Sequence, residues 1–300
     1  MALFRLVLLA ALLIGSGLRL AMKGETGMLA VAGAIVGVLL FCSLVGWWLG
    51  QRRAALAVEI RTRTNTWWWM VAIFLVAIAT HRIVSFAFLS FLCFSALREF
   101  YSLMPMKEVT GDKTLAFKDR VAVLFSYLAV PAMAWVAYVN WFDLFIILIP
   151  VYLFLLNPII FVLQGRTEGA LKSLGIVSIG SMFFAFNLGH SLFMINIGPM
   201  VLLYCFTLTE VRDLLSYWVG KAFAKLAAAH PGSALARILE VRVAAAVSPR
   251  KTWAAGAVAA LLVALLSLAF VPLMPPFPDG TFSWPVAMAL GFLIGFLGLM

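Results

Sequence analysis

Of the 300 residues, 65% are apolar and only 11% are charged, whereas a soluble domain carries about 25% charged residues. Twelve acidic and 22 basic side chains cannot coat a soluble surface around so much apolar material, and lipid is the solvent that removes the need for one. The formal net charge of +10 sits in short cationic segments between apolar runs, as in loops facing anionic headgroups, and this excludes a nucleic-acid partner.

The first apolar run, 3–20, has only Arg5 before its centre and is followed by a second long run from Gly27 to 50. It reads as a retained helix rather than a cleaved signal. Residues 1–66 therefore form an N-terminal helical hairpin with a basic loop, and 67–300 form the main helical body. The next run, 67–97, is too long for one span and carries His81-Arg82 at its middle. We read it as two short helices turning at that pair, because a single helix would hold the charge in hydrocarbon. Further runs follow at 121–139, 143–163, 173–194, 198–219, 252–271 and 285–300. The expected fold is all-α: a polytopic integral membrane bundle of ten spans, the last incomplete. Asn157-Pro158 should bend the sixth span. The chain ends Gly298-Leu299-Met300 with no polar flank or aromatic anchor, so further sequence is expected beyond it.

From residue 51 onward, cations alternate between the connecting segments, while Arg19 and Lys23 of the first hairpin fall on the opposite side from Arg5. Segment 51–66 holds Arg52, Arg53, Arg61 and Arg63, and 98–120 holds Arg98, Lys107, Lys113, Lys118 and Arg120. Segment 164–172 holds Arg166 and Lys172, and 220–251 holds six cations, while 140–142, 195–197 and 272–284 hold none. The basic segments should face the cytoplasm. Two cytoplasmic flanks require an even number of crossings between them, and the hairpin at His81-Arg82 supplies it. Cys42, Cys93 and Cys205 each lie in an apolar run without metal-ligand spacing and read as packed small hydrophobes.

Three polar groups interrupt the apolar runs. Glu210, Asp213 and Tyr217 recur at i, i+3 and i+7 and share a helix face near the end of the eighth span. Two carboxylates there suit a hard cation with its attached phosphates, the alternative being an interfacial helix end where Arg212 snorkels and Asp213 meets water. Ser248-Pro249-Arg250-Lys251-Thr252-Trp253 starts the ninth helix, with Ser248 or Thr252 as its cap. Helix amides with Arg250 and Lys251 make either a phosphate-binding corner or an interface anchor. Asn187 and His190, at i and i+3 in the seventh span, are either packing hydrogen bonds or the lining of a polar pocket. Arg98 closes the early hairpin and either attracts a lipid phosphate or pairs locally. No His-Glu-x-x-His motif or nucleophile elbow is present.

The segments Ala96-Leu97-Arg98-Glu99-Phe100, Phe184-Ala185-Phe186-Asn187-Leu188-Gly189-His190, Leu208-Thr209-Glu210 through Asp213, Tyr217 with Gly220-Lys221, and Ser248-Pro249-Arg250-Lys251-Thr252-Trp253 occur in an order and spacing that resembles the phosphatidate cytidylyltransferase family. The likeness is to its bacterial branch and runs from about residue 67 onward. It implies a reaction in which phosphatidic acid and CTP give CDP-diacylglycerol and pyrophosphate with Mg2+. It implies metal and catalytic roles for Asp213, a metal role for Glu210 and a catalytic role for Lys251. Substrate contacts are implied for Arg98, Asn187, His190, Tyr217, Ser248, Arg250 and Thr252. It further implies a homodimer in a bacterial inner membrane, with the site on the cytoplasmic side.

The sequence departs from the family at Ser216, where the family has alanine, and at Ala254-Ala255, where it has glutamate and glycine. The family's C-terminal signature, which adds metal ligands, is expected after Gly298, and residues 1–300 alone are expected to be inactive. Another lipid-phosphate transferase, an inactive relative with an assembly role, and a transporter with inverted repeats are the competing readings.

Overall fold

A computed structural model describes residues 2–50, 54–104, 113–165, 169–245, 248–275 and 282–298. Arg52, Arg53, Lys107 and Arg166 lie outside the described residues, as do the side chains of Lys113, Lys118 and Arg250. In chain order the helices are α1 (Ala2–Met22), α2 (Thr26–Leu49), α3 (Ala54–Ala79), α4 (Arg82–Leu103), α5 (Lys113–Tyr138), α6 (Phe142–Ile147), α7 (Phe154–Leu163), α8 (Ala170–Gly180), α9 (His190–Ile197), α10 (Pro199–Ala229), α11 (Ala234–Leu239), α12 (Trp253–Leu268) and α13 (Trp284–Leu297). Strands β1 (Arg242–Ala244) and β2 (Ser248–Thr252) form the antiparallel hairpin that precedes α12. The protein is a nearly all-α polytopic helical bundle.

Seven helical stretches among the described residues are long and apolar enough to cross a membrane, against ten expected from the runs. The shortfall has a physical cause in each case. α3 begins among Glu59, Arg61 and Arg63, α10 carries Glu210, Arg212 and Asp213 together, and α13 has only 14 residues. α3 also corrects the boundary of the basic loop, since the helix starts at Ala54 and carries those charges on helical turns.

The chain divides into two compact units. The first comprises Met1–Arg19 and Asn65–Pro199. Within it, the expected hairpin turn falls at Thr80-His81. His81 is extended, and its Nδ1 accepts from the Ile83 amide at 3.2 Å, capping α4. Arg82 then donates to Tyr138 O and to Asn196 Oδ1, each at 2.7 Å, and lies 4.6 Å over the Tyr138 ring. Asn196 in turn donates to Ala137 O at 2.6 Å and to Asn140 Oδ1 at 3.2 Å. The turns at 81–82, 140–142 and 195–197 therefore meet at one end of this unit, as the reading of 67–97 as a hairpin expects.

Two π-helical stretches interrupt the apolar runs of this unit, Leu148–Leu153 and Ser181–Asn187. The first lies just upstream of Pro158, which removes a backbone donor from α7 and so accounts for irregularity in the sixth span. Asn157 is fully buried there, and both its amide atoms lack a hydrogen-bond partner among the described residues.

The second unit comprises Leu20–Thr64 and Met200–Met300. Its tightest pairing is α12 against α13, and small residues set it. A Cβ placed at Gly295 would lie 2.5 Å from Ala260 Cα, so only glycine permits the two backbones to approach so closely. Ser267 adds polar glue inside this apolar packing. Its hydroxyl donates to Ala287 O at 2.6 Å and shares a 2.7 Å hydrogen bond with the Tyr204 hydroxyl of α10. At the far end of α10, Ala227 packs with Ala236 and Leu239 of α11, against Phe223 and Ala254.

Candidate active site

The second unit gathers most of the polar residues singled out in the sequence. α10 is one uninterrupted helix through them, so Glu210, Asp213 and Tyr217 do share its face. Asp213 is the exposed member, with 65% of its side chain accessible, and Glu210 and Tyr217 are half-buried.

Arg212 corrects the expectation of a snorkelling cation. Its side chain is only 5% accessible. Nε donates to Gly295 O at 3.2 Å, and Nη1 donates to Asp213 Oδ1 at 2.6 Å. Gly295 belongs to the last turn of α13, where carbonyls lack intrahelical partners and the helix dipole is negative, so a cation is favoured there. A side chain at Gly298 would collide with the guanidinium, 2.7 Å from Nε. Nη2 has no hydrogen-bond partner among the described residues. Arg212 thus spans from the end of α13 to one oxygen of Asp213 and fixes that carboxylate, leaving its second oxygen for a ligand.

The first turn of α12 adjoins this helix two turns beyond Asp213. A Cβ at Gly220 of α10 would lie 4.0 Å from Ala255 Cβ of α12. β1 and β2 pair through Arg242 with Thr252 and Ala244 with Ser248, and the Trp253 amide donates to Val241 O at 3.0 Å. Of the two proposed caps, Thr252 is the one used. It has extended backbone, and its hydroxyl accepts from the Ala255 amide at 3.4 Å. The α12 amide corner is thus partly filled by the protein's own groups. Ser248 is half-buried in β2, and Lys251 is exposed beside the cap.

The sequence reading missed Glu59 and Arg63. The Tyr217 hydroxyl donates to Glu59 Oε1 at 2.9 Å, and Arg63 Nη2 lies 3.4 Å from the same oxygen. Arg63 and Lys221 stand 5.1 and 4.4 Å from the Tyr217 ring centroid. Their i, i+4 spacing on α3 was the available signal, hidden because 51–66 was read as a loop.

The remaining predicted residues belong to the first unit. Arg98 is exposed on the last turns of α4. Asn187 is exposed at the end of a π-helical stretch. His190 is half-buried, its Nδ1 donating to Phe186 O at 2.9 Å, with its ring edge-to-face against Phe145 and Phe186 at 5.1 and 4.7 Å. A shared face at i, i+3 presumes α-helical phase, and the wider π turn breaks it. His190 therefore packs among aromatic rings while Asn187 remains exposed.

No group of three His, Cys, Asp or Glu side chains that could hold a metal occurs among the described residues. A pair of carboxylates is still a reasonable donor set for Mg2+, which keeps several waters and completes its octahedron with substrate phosphates. Glu210 and the free oxygen of Asp213 fit that requirement.

The family model for the cytidylyltransferase family matches residues 61–300, so the chain belongs to the cytidylyltransferase family, and its class is nucleotidyltransferase. The chain is also similar to the Escherichia coli (strain K12) protein called "Uncharacterized protein YnbB", with 25% identity over 259 residues, covering 84% of this chain and 74% of the relative. No solved structure matches the chain.

Proposed function

We propose that the protein is a phosphatidate cytidylyltransferase, transferring CMP from CTP to phosphatidic acid and releasing pyrophosphate at the cytoplasmic face of a bacterial inner membrane. The observation that carries this reading is Asp213, held by buried Arg212 against the end of α13, with Glu210 one turn away and the first turn of α12 meeting α10 at Gly220, two turns further along.

The chemistry asks little more of the protein. A non-bridging oxygen of the lipid phosphate forms a bond to the α-phosphorus of CTP, and the bond from that phosphorus to the oxygen bridging to the β-phosphate breaks. The electron pair leaves with pyrophosphate. The acceptor is already an anionic oxygen, so no side-chain nucleophile is required. When bound, Mg2+ supplies charge neutralisation of the phosphates. Glu210 and Asp213 would hold it, and Arg212 orients the Asp213 carboxylate. Lys251, exposed at the start of α12, favours the charge that develops on the departing pyrophosphate.

The test is CTP-dependent formation of CDP-diacylglycerol by membranes containing the full-length gene product. Product that requires Mg2+ and disappears with Asp213→Asn is expected. A folded protein that consumes no CTP with phosphatidic acid, but does so with another lipid phosphate, would replace the substrate and keep the transferase. Inertness toward all of them favours the non-catalytic relative, a reading to which Ala254, packed in the apolar cluster of α10 and α11 where the family carries glutamate, gives specific support.

A further inference from the structure

Tyr217 sits one turn from Asp213 and one turn from Lys221 on α10, so the three run along one helix face. That face is met by the start of α3, whose Glu59 and Arg63 are also one turn apart. Glu59 Oε1 takes the tyrosine hydroxyl at 2.9 Å and the Arg63 guanidinium at 3.4 Å. A phenol held by a carboxylate has one fixed ring position, and the ring then carries two cations, Arg63 at 5.1 Å and Lys221 at 4.4 Å from its centroid. Trp218 borders the same ammonium at 5.6 Å. Two cations against one carboxylate leave the cluster net positive, one turn beyond the carboxylates of Glu210 and Asp213. The family match begins at residue 61, so Glu59 lies outside it.

We propose that Glu59 is a positioning residue for nucleotide binding: through the Tyr217 hydroxyl it fixes the ring on which Arg63 and Lys221 gather, and this cation pair seats the polyphosphate of the nucleotide. The inference rests on the transferase reading for the identity of the nucleotide. Arg63 and Lys221 touch the ligand, while Glu59 acts only through Tyr217 and Arg63. The substrate class is a nucleoside triphosphate whose terminal phosphates extend along α10 from Asp213 toward Lys221.

The experiment is equilibrium dialysis of CTP against the detergent-purified full-length protein, with thermal midpoints measured alongside. The variants are E59Q, Y217F, the double variant and E59D. E59Q and Y217F are each expected to raise the CTP dissociation constant about tenfold at an unchanged midpoint. The double variant should be no weaker than the poorer single one, because both changes break the same link. E59D, which keeps the carboxylate, should recover most of the affinity. CTP affinity unmoved by E59Q, or losses that multiply in the double variant, would overturn the proposal. Binding that falls with E59Q in a protein that makes no CDP-lipid would retain the nucleotide seat and reject the reaction. Transfer that proceeds with binding indifferent to Glu59 would do the reverse.

Discussion

Arg212 and Asp213 are sequence neighbours with opposite environments, and the difference defines their roles. The carboxylate is exposed and available to a ligand, and the guanidinium is buried and spent on holding it. Asp213→Asn keeps the shape but removes the charge, and we expect transfer to fall at least about 100-fold with CTP present in excess, measured as initial rates. Arg212→Ala removes a buried side chain and leaves Gly295 O without its donor, a loss of about 2–4 kcal/mol in stability, measured as a lowered thermal midpoint in detergent. Arg212→Lys should recover only part of it, since a single ammonium cannot reproduce the fork that reaches both Gly295 and Asp213. The sequence showed Asp213 and Glu210 through their helical spacing. It did not show the burial of Arg212, because a cation near the end of an apolar run looks like an interfacial anchor until a partner 83 residues away is seen.

Among the elements, α12 and α13 depend on backbone approach at small residues. Gly295→Val places atoms against the Ala260 backbone, and overpacking of this kind costs at least about 1–3 kcal/mol. It should also displace Gly295 O from Arg212, so stability and transfer should fall together. Thr252→Ala removes the α12 cap at a cost of about 1 kcal/mol, and Thr252→Ser should restore the midpoint. If Thr252 also touches the nucleotide, the alanine variant will show a higher KM for CTP beyond the stability loss. The hairpin at His81-Arg82 was legible because charge parity demanded an even number of crossings. The π-helical stretches were not, since apolar residues fit α and π turns alike, and they invalidated the shared face assigned to Asn187 and His190. The α3 start was misread because a basic segment beside a span has the composition of a loop, while i, i+4 pairing on a helix is equally compatible with it.

For the whole molecule, we propose a membrane arrangement from the alternating cation-rich and cation-free connections. The meeting of Arg82, Asn140 and Asn196 places the His81-Arg82 turn with two cation-free turns, the side on which the hairpin reading puts it. We expect Trp141→Cys, in a background lacking Cys42, Cys93 and Cys205, to react with an impermeant maleimide from outside intact cells. Lys172→Cys and Lys225→Cys should react only in inverted vesicles. Labelling of positions 141 and 225 from the same side would contradict the arrangement and the cytoplasmic site with it.

The most direct test follows the fate of each phosphorus of CTP. Membranes bearing the full-length protein would be given phosphatidic acid, Mg2+ and CTP labelled at either the α- or the γ-phosphorus. The account predicts that α-label enters a CDP-lipid and γ-label appears in pyrophosphate, with both lost in Asp213→Asn. γ-Label in the lipid, or α-label transfer that survives Asp213→Asn, would contradict it.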